Sequence, residues 1–278
     1  MKPCISQVTV LSTPFDAALD AHARGGWQAV ELWLTQLETC LAEGRSAADL
    51  RSMLADRGLI PAAASSQGGL LLSTGEERQT HRDHFRRRLE LLQSLAVPTL
   101  VVAADFARDP SPEHYGRASE ALAEAGELAG GFGVRIALEF QKASQFCTSL
   151  DTALALVAGC GSSNVGVCLD LFHYYTGPSK FEDLAYLSPE TLAHVQVCDL
   201  SGTPREMAGD ADRIFPGEGD FQLQPILDHL RRIGYDRYVS LELLNPHLWR
   251  VPADRVADLG YQALLRALAP GNDLAGKA

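Results

Sequence analysis

A chain of 278 residues with 46% hydrophobic content can bury a large core, while its formal charge of -11 argues against a phosphate-backbone ligand, which is bound by Lys and Arg displacing counterions. The six cysteines, Cys4, Cys40, Cys147, Cys160, Cys168 and Cys198, include no C-x-x-C pair and no zinc-ligand spacing, so they read as buried thiols of a reducing compartment. The start Met1-Lys2-Pro3-Cys4-Ile5 lacks an apolar signal core and no run approaches the ~18 apolar residues of a membrane span, which predicts a cytoplasmic protein with neither membrane nor nucleic acid as partner.

In chain order, short β-rich runs alternate with longer helical patterns. The predicted strands are Ile5–Val10, Ala29–Trp33, Pro61–Ser65, Thr99–Ala103, Arg135–Glu139, Val165–Asp170, Leu192–Cys198 and Tyr238–Leu243. Between them lie helical patterns over Pro14–Arg24, Ala47–Arg57, Glu77–Leu95, Tyr115–Gly130, Ser149–Ala158, Leu223–Ile233 and Asp254–Leu268. Several helices end in glycine followed by an apolar residue, as in Arg57-Gly58-Leu59-Ile60 and Ile233-Gly234-Tyr235, which makes the helix-to-strand turns short. The segments Asp199–Phe221 and Leu244–Pro252, after the seventh and eighth strands, are instead long and irregular, and long strand-to-helix loops on one rim are where a barrel keeps its chemistry.

Eight βα pairs predict a (β/α)8 TIM barrel, one domain over residues 1–269 with a flexible tail over 270–278. A doubly wound sheet would place a glycine-rich phosphate loop after the first strand, and Val10-Leu11-Ser12-Thr13-Pro14 contains no glycine. The run His81–Arg88 lies within a helical pattern continuing into Leu89-Glu90-Leu91-Leu92 and reads as a solvated face.

Glu139, Asp170, Gln196 and Glu242 end four apolar runs in the second half of the chain. Side chains at the C-terminal tips of parallel barrel strands converge on one point, and carboxylates that converge call for a cation. Strand periodicity puts His194 and Cys198 on the face of Gln196, and Cys168 on that of Asp170, so His194 is expected to be an inner-barrel histidine below the rim.

Taken together, Glu139, the run Asp170-Leu171-Phe172-His173, the run His194-Val195-Gln196-Val197-Cys198-Asp199, Ser240-Leu241-Glu242 and the segment Pro216-Gly217-Glu218-Gly219-Asp220-Phe221 resemble the xylose-isomerase-like barrel superfamily. The resemblance runs from Val30-Glu31-Leu32 onward. It implies one divalent metal ion on Glu139, Asp170, Gln196 and Glu242. Members usually carry His at the third position; Gln196 leaves an oxygen-rich set that favours Mn²⁺ or Mg²⁺, with Co²⁺ or Zn²⁺ as further options. Some 3-dehydroshikimate dehydratases of the superfamily resemble this chain in having Gln there. The resemblance also implies Glu139 and Glu242 as catalytic carboxylates, and substrate contacts from His173, Arg205, Glu31 and Lys142, with Arg213 as a second arginine candidate.

The implied reaction is isomerisation or epimerisation of a small polyhydroxylated ketone or aldehyde, a sugar, sugar phosphate or cyclitol, through an enediolate. The alternatives are a dehydratase of the inosose or 3-dehydroshikimate type and a non-catalytic sugar-binding barrel; a homo-oligomer is compatible with each. The three-zinc endonuclease branch is disfavoured, because the early strand tips supply Ser65, Gln67 and Asp105 where it places histidines.

Overall fold

The computed structural model describes residues 1–107 and 109–270. Runs such as Val165–Asp170 and Leu192–Val197 are buried at every position, as parallel strands covered by helices on one side and by the barrel axis on the other must be. Eight of them close a parallel barrel in sequential order: β1 (Lys2–Ser6), β2 (Ala29–Trp33), β3 (Ile60–Gln67), β4 (Thr99–Ala103), β5 (Arg135–Glu139), β6 (Val165–Asp170), β7 (Leu192–Val197) and β8 (Tyr238–Leu241). The last strand returns to pair with the first, Ile5 beside Leu241.

Around it run α1 (Phe15–Arg24), α2 (Leu34–Ala42), α3 (Ala47–Ala55), α4 (Gly75–Ser94), α5 (Pro112–Gly130), α6 (Leu150–Cys160), α7 (Leu171–Thr176), α8 (Leu223–Arg232) and α9 (Ala253–Leu268). α8 shows why the helices dock: Leu223, Ile226, Leu227 and Leu230 recur at helical spacing on its buried face, with Arg231 and Arg232 in its last turn. The turns that end in glycine behave as expected, Gly58 and Gly234 taking φ of 64° and 81°. No helix among the described residues is long and apolar enough to cross a membrane.

The main core lies between strands and helices. Inside the barrel the described residues form two small clusters, Val101, Ala137, Cys168 and Ala193 in one, Cys4, Ala29 and Ala62 in the other. These short side chains leave the axis to polar groups from the strand tips. All six cysteines are free thiols, five of them buried.

Beyond shifts of one or two residues at the ends of β3, β7 and β8, three features differ from expectation. The first strand occupies Lys2–Ser6, and Gln7–Val10 is a 3-10 turn rather than extended chain. Side chains redirect it: Gln7 accepts from the Trp33 amide at 2.8 Å, and Thr9 donates to the Leu241 carbonyl at 3.1 Å. α2 starts directly from the end of β2 without a side-chain cap, and α7 starts on Asp170 itself, so neither announces itself by a loop. In the basic run, Arg88 is buried and forks onto Glu38 at 2.7 and 2.9 Å, while Arg82 pairs with Glu124. From residue 271 onward the expected tail lies outside the described residues.

His22 sits on the buried face of α1 with no partner for either ring nitrogen, and burial holds its pKa at about 3 against an ordinary 6.5. Below pH 6.5 the unfolded chain therefore takes up a proton that the folded one refuses, so stability is lost as pH falls toward 3. Urea unfolding at pH 6.5 and pH 5 should show a loss of about 2 kcal/mol from this group, absent in His22→Leu. Equal losses in the two proteins would remove His22 as the acid-sensitive element.

Candidate active site

The C-terminal tips of β5 to β8 carry the residues that the sequence singles out. Glu139 ends β5. Asp170 ends β6 and caps α7, its Oδ1 accepting from the Phe172 amide at 2.7 Å, which fixes the carboxylate at the point where strand becomes helix. His173 follows one turn later, its Nε2 3.7 Å from Asp170 Oδ2. Gln196 is the register partner of Asp170 on β7, and Glu242 lies one residue past β8, its amide bonded to the Val197 carbonyl at 3.1 Å. Every one of these side chains is buried.

Arg213 occupies the centre. Its Nη2 donates to Asp170 Oδ2 at 2.7 Å and its Nη1 to Glu242 Oε2 at 2.9 Å, while its outer edge reaches Asp210. The guanidinium lies 4.5 Å above the Phe172 ring and is 1% exposed. Burial pulls its pKa down, but the charges of Asp170 and Glu242 outweigh burial and hold it well above the ordinary value. Its backbone is pinned as well: Asn245 Nδ2 donates to the Arg213 carbonyl at 2.9 Å, and the next residue, Ile214, bridges to Asp199.

Asp199 organises the loop that delivers this arginine. Its carboxylate accepts from the amides of Leu200, Gly217 and Phe221 at 2.9 to 3.0 Å. A Cβ on Gly219 would stand 2.4 Å from Asp199 Oδ1, so the second glycine of the Pro216-Gly217-Glu218-Gly219 segment is there for close approach.

Below the rim the polar groups continue into the barrel. Gln196 Nε2 donates to Glu242 Oε1 at 2.8 Å and to Glu31 Oε1 at 2.9 Å, and its Oε1 accepts from the Cys168 thiol at 3.1 Å. The amide thus turns its nitrogen, not its oxygen, toward the two carboxylates; a half-turn about its last bond exchanges them. Glu31 rests on His194 Nε2 at 2.9 Å. Burial alone would raise the Glu31 pKa, but the hydrogen bond and charge of His194 outweigh it and hold the carboxyl below the ordinary range.

Glu139 and Glu242 shift the other way. Burial, then the charge of Asp170, raises Glu139 well above the carboxylate range; burial does the same to Glu242 against the opposing pull of Arg213. Four buried carboxylates, Glu31, Glu139, Asp170 and Glu242, thus face one guanidinium and one hydrogen-bonded imidazole. Glu139, Asp170 and His173 each offer a ligand atom within 4.8 Å of the others, and the buried His173 Nδ1 has no partner. Surplus negative charge and convergent donors fit a divalent cation at the mouth of the barrel.

Two expected substrate residues stand apart from this centre. Arg205 is exposed, its Nη1 donating to the Tyr175 carbonyl at 3.1 Å, while Arg213 holds the buried position. Lys142 donates to the carbonyls of Ala208 and Arg205 and lies 5.8 Å over the Phe172 ring, at the edge of the mouth. Asp105 is spent on loop structure, accepting from the amides of Gly69, Leu71 and Leu72. Trp249 is half-buried, its indole donating to the Val8 carbonyl at 2.8 Å. Asp199 and Asn245 were not singled out by sequence; the placement of Asp199 at the end of the seventh strand was the available signal.

Residues 19–268 match the profile of the xylose isomerase-like TIM barrel family. The chain is 27% identical to an inosose isomerase of Bacillus velezensis, across 91% of this chain and 92% of the relative. It is 26% identical to a 3-dehydroshikimate dehydratase of Pseudomonas aeruginosa, across 92% of this chain and 40% of that longer protein. Among solved structures, IOLI protein with a bound zinc atom superposes with a TM-score of 0.90 at 23% identity, covering 97% of this chain and 98% of that one. D-psicose 3-epimerase in the presence of D-fructose superposes with a TM-score of 0.76 at 21% identity, covering 96% and 99%. At these identities the structural matches speak for the fold.

Proposed function

The chain belongs to the xylose isomerase-like TIM barrel family, and on that footing we propose that it is a divalent-metal-dependent isomerase or epimerase of a small polyhydroxylated carbonyl compound, a cyclitol or sugar. The observation that carries the reading is the buried carboxylate cluster at the mouth: Glu31, Glu139, Asp170 and Glu242 outnumber Arg213, and a divalent cation would supply the counter-charge that keeps Glu139 and Glu242 ionised. Inosose isomerase and D-psicose 3-epimerase, similar over most of this chain, are named for reactions of this class.

Glu139, Asp170 and Glu242 would hold the ion, with His173 and the Gln196 amide oxygen as further donors. A set this rich in oxygen favours Mg²⁺ or Mn²⁺ over Zn²⁺. When bound, the ion polarises the substrate carbonyl and stabilises charge developing on its oxygen. The protein does the rest. Glu139 and Glu242 stand three strands apart around the rim, so a substrate between them presents one face to each, and a carboxylate within hydrogen-bond reach takes or returns the proton beside the carbonyl. Arg213 holds the outer oxygens of Asp170 and Glu242 and so fixes their orientation. Phe172 beneath it keeps water from the guanidinium. Lys142, at the edge of the mouth, and His173, beside Asp170, are the further candidates for contacts to substrate hydroxyls.

A second reading rests on the match to 3-dehydroshikimate dehydratase over most of this chain. The carboxylate that removes the proton beside the carbonyl would pass it, by way of His173, to the departing hydroxyl, so that water leaves and both residues return to their starting state. Incubation with inososes, ketoses and 3-dehydroshikimate in D₂O separates the two. Deuterium beside the carbonyl without water loss supports isomerisation or epimerisation; water loss supports the dehydratase. Metal analysis runs beside it, on the wild type and on Glu242→Gln. A wild type with no bound divalent ion, and no activity on adding Mn²⁺ or Mg²⁺, would overturn both.

A further inference from the structure

At the opposite, N-terminal mouth of the barrel lies a cavity of about 360 Å³ whose lining includes Lys2, Arg135 and Arg237 and no carboxylate. That is an unusual concentration of positive charge for a chain with a net charge of -11. Among the described residues none of the three cations has an acidic side chain at ion-pair distance; every ion pair formed there involves other groups.

The two guanidiniums are held rather than loose. Arg237 Nη1 donates to the Leu192 carbonyl at 2.8 Å and Arg135 Nη2 to the Glu190 carbonyl, so both are anchored to the same stretch of chain entering β7. Arg135 is also seated into the barrel floor: a Cβ on Gly166 would lie 2.9 Å from its Nη2, a space that only glycine leaves open. Its Nε is buried with no partner. Burial, then the charge of Arg237, lowers its pKa, with the Glu190 carboxylate, beyond ion-pair distance, opposing. Lys2, whose amide donates to the Arg237 carbonyl at 2.8 Å, stands over the Tyr238 ring at 5.6 Å. Thr99 adds a hydroxyl to the lining.

We propose that this cavity binds a small phosphoryl dianion, either inorganic phosphate or the phosphate group of a small ester, between the guanidinium forks of Arg135 and Arg237 with Lys2 closing over it. Fixed, planar donor pairs suit a tetrahedral oxyanion, and an anion there removes the repulsion between two confined cations. The site lies at the lower end of the barrel: its three cations take no part in the chemistry proposed for the upper rim, and His194 is the lining residue that also bonds Glu31 above.

Calorimetric titration of the purified full chain with inorganic phosphate and with glycerol phosphate, at ionic strength held constant by NaCl, tests this. Saturable one-site binding is expected, and the tighter of the two ligands tells free phosphate from an ester. Removing both guanidiniums in R135Q/R237Q should weaken it about 100-fold, about tenfold for each charge-assisted fork. R237K, which keeps the charge but loses the planar fork, should bind more weakly than the wild type and more tightly than R237Q. If the double variant does not fold, Lys2→Gln replaces it, with a several-fold weakening expected. No saturable binding in the wild type, or equal binding when the arginines or Lys2 are neutralised, overturns the proposal: the cations are then a solvated rim, or the anion binds elsewhere. Neither result bears on the metal-dependent reading, which the D₂O experiment decides by itself.

Discussion

Replacing Arg213 with methionine should destabilise the ion-free protein by about 3–5 kcal/mol, a large share of the stability of a domain. The guanidinium is 1% exposed and makes ion pairs of 2.7 and 2.9 Å with Asp170 and Glu242. Methionine fills much of the same space, so the change isolates charge from packing. It leaves two carboxylates buried without their counter-charge, and the cost of such a vacancy exceeds the net worth of an intact pair. Urea unfolding in EDTA measures the effect. Adding Mn²⁺ or Mg²⁺ should restore more stability to the variant than to the wild type, because the cation then has no competitor for those oxygens. A loss below about 1 kcal/mol would mean that Arg213 is not the main counter-charge of the cluster.

Glu139→Gln should lower turnover by about 10³-fold, within the range lost when a positioned general base is removed. Folding should not suffer. Burial and the charge of Asp170 hold the Glu139 carboxyl well above its ordinary 4.5, so its charged form is disfavoured in the folded, ion-free protein. Stability from this group is therefore present below pH 4.5 and lost as pH rises through the higher folded value. The neutral amide removes that loss, and ion-free Glu139→Gln should gain on the wild type as pH rises toward neutrality. Deuterium uptake by substrate gives the rate, and urea midpoints across pH give the stability. Turnover within tenfold of the wild type would remove Glu139 from the proton transfer.

The barrel was legible because its signals are periodic or local: apolar runs at strand length, glycine stops, and acidic residues at run ends. Glu139, Asp170, Gln196 and Glu242 could be picked out for that reason, and they do converge. The choice between Arg205 and Arg213 could not be made the same way. Both lie in an irregular segment whose path is set by Asp199 collecting three backbone amides and by Gly219 passing against its carboxylate, a tertiary arrangement with no repeat to read. The bend after β1 was hidden for a similar reason, since Val8 and Val10 are apolar whether the chain is extended or coiled; the side chains of Gln7 and Thr9 decide it. The amide of Gln196 could be placed at the rim, but its partner on the other side, Glu31, enters from a strand 165 residues away in sequence.

Arg213, Glu242, Gln196, Glu31 and His194 form one hydrogen-bonded column running from the upper mouth down the axis to a histidine that also lines the lower cavity. Each member satisfies the next, so none changes alone. A histidine at 196 would face Glu31 and Glu242 with one ring where an amide now serves both. Positions 31, 194 and 196 are therefore expected to diverge together among relatives, and a variant library that samples 196 by itself would meet the epistasis of the whole triplet rather than the tolerance of one site.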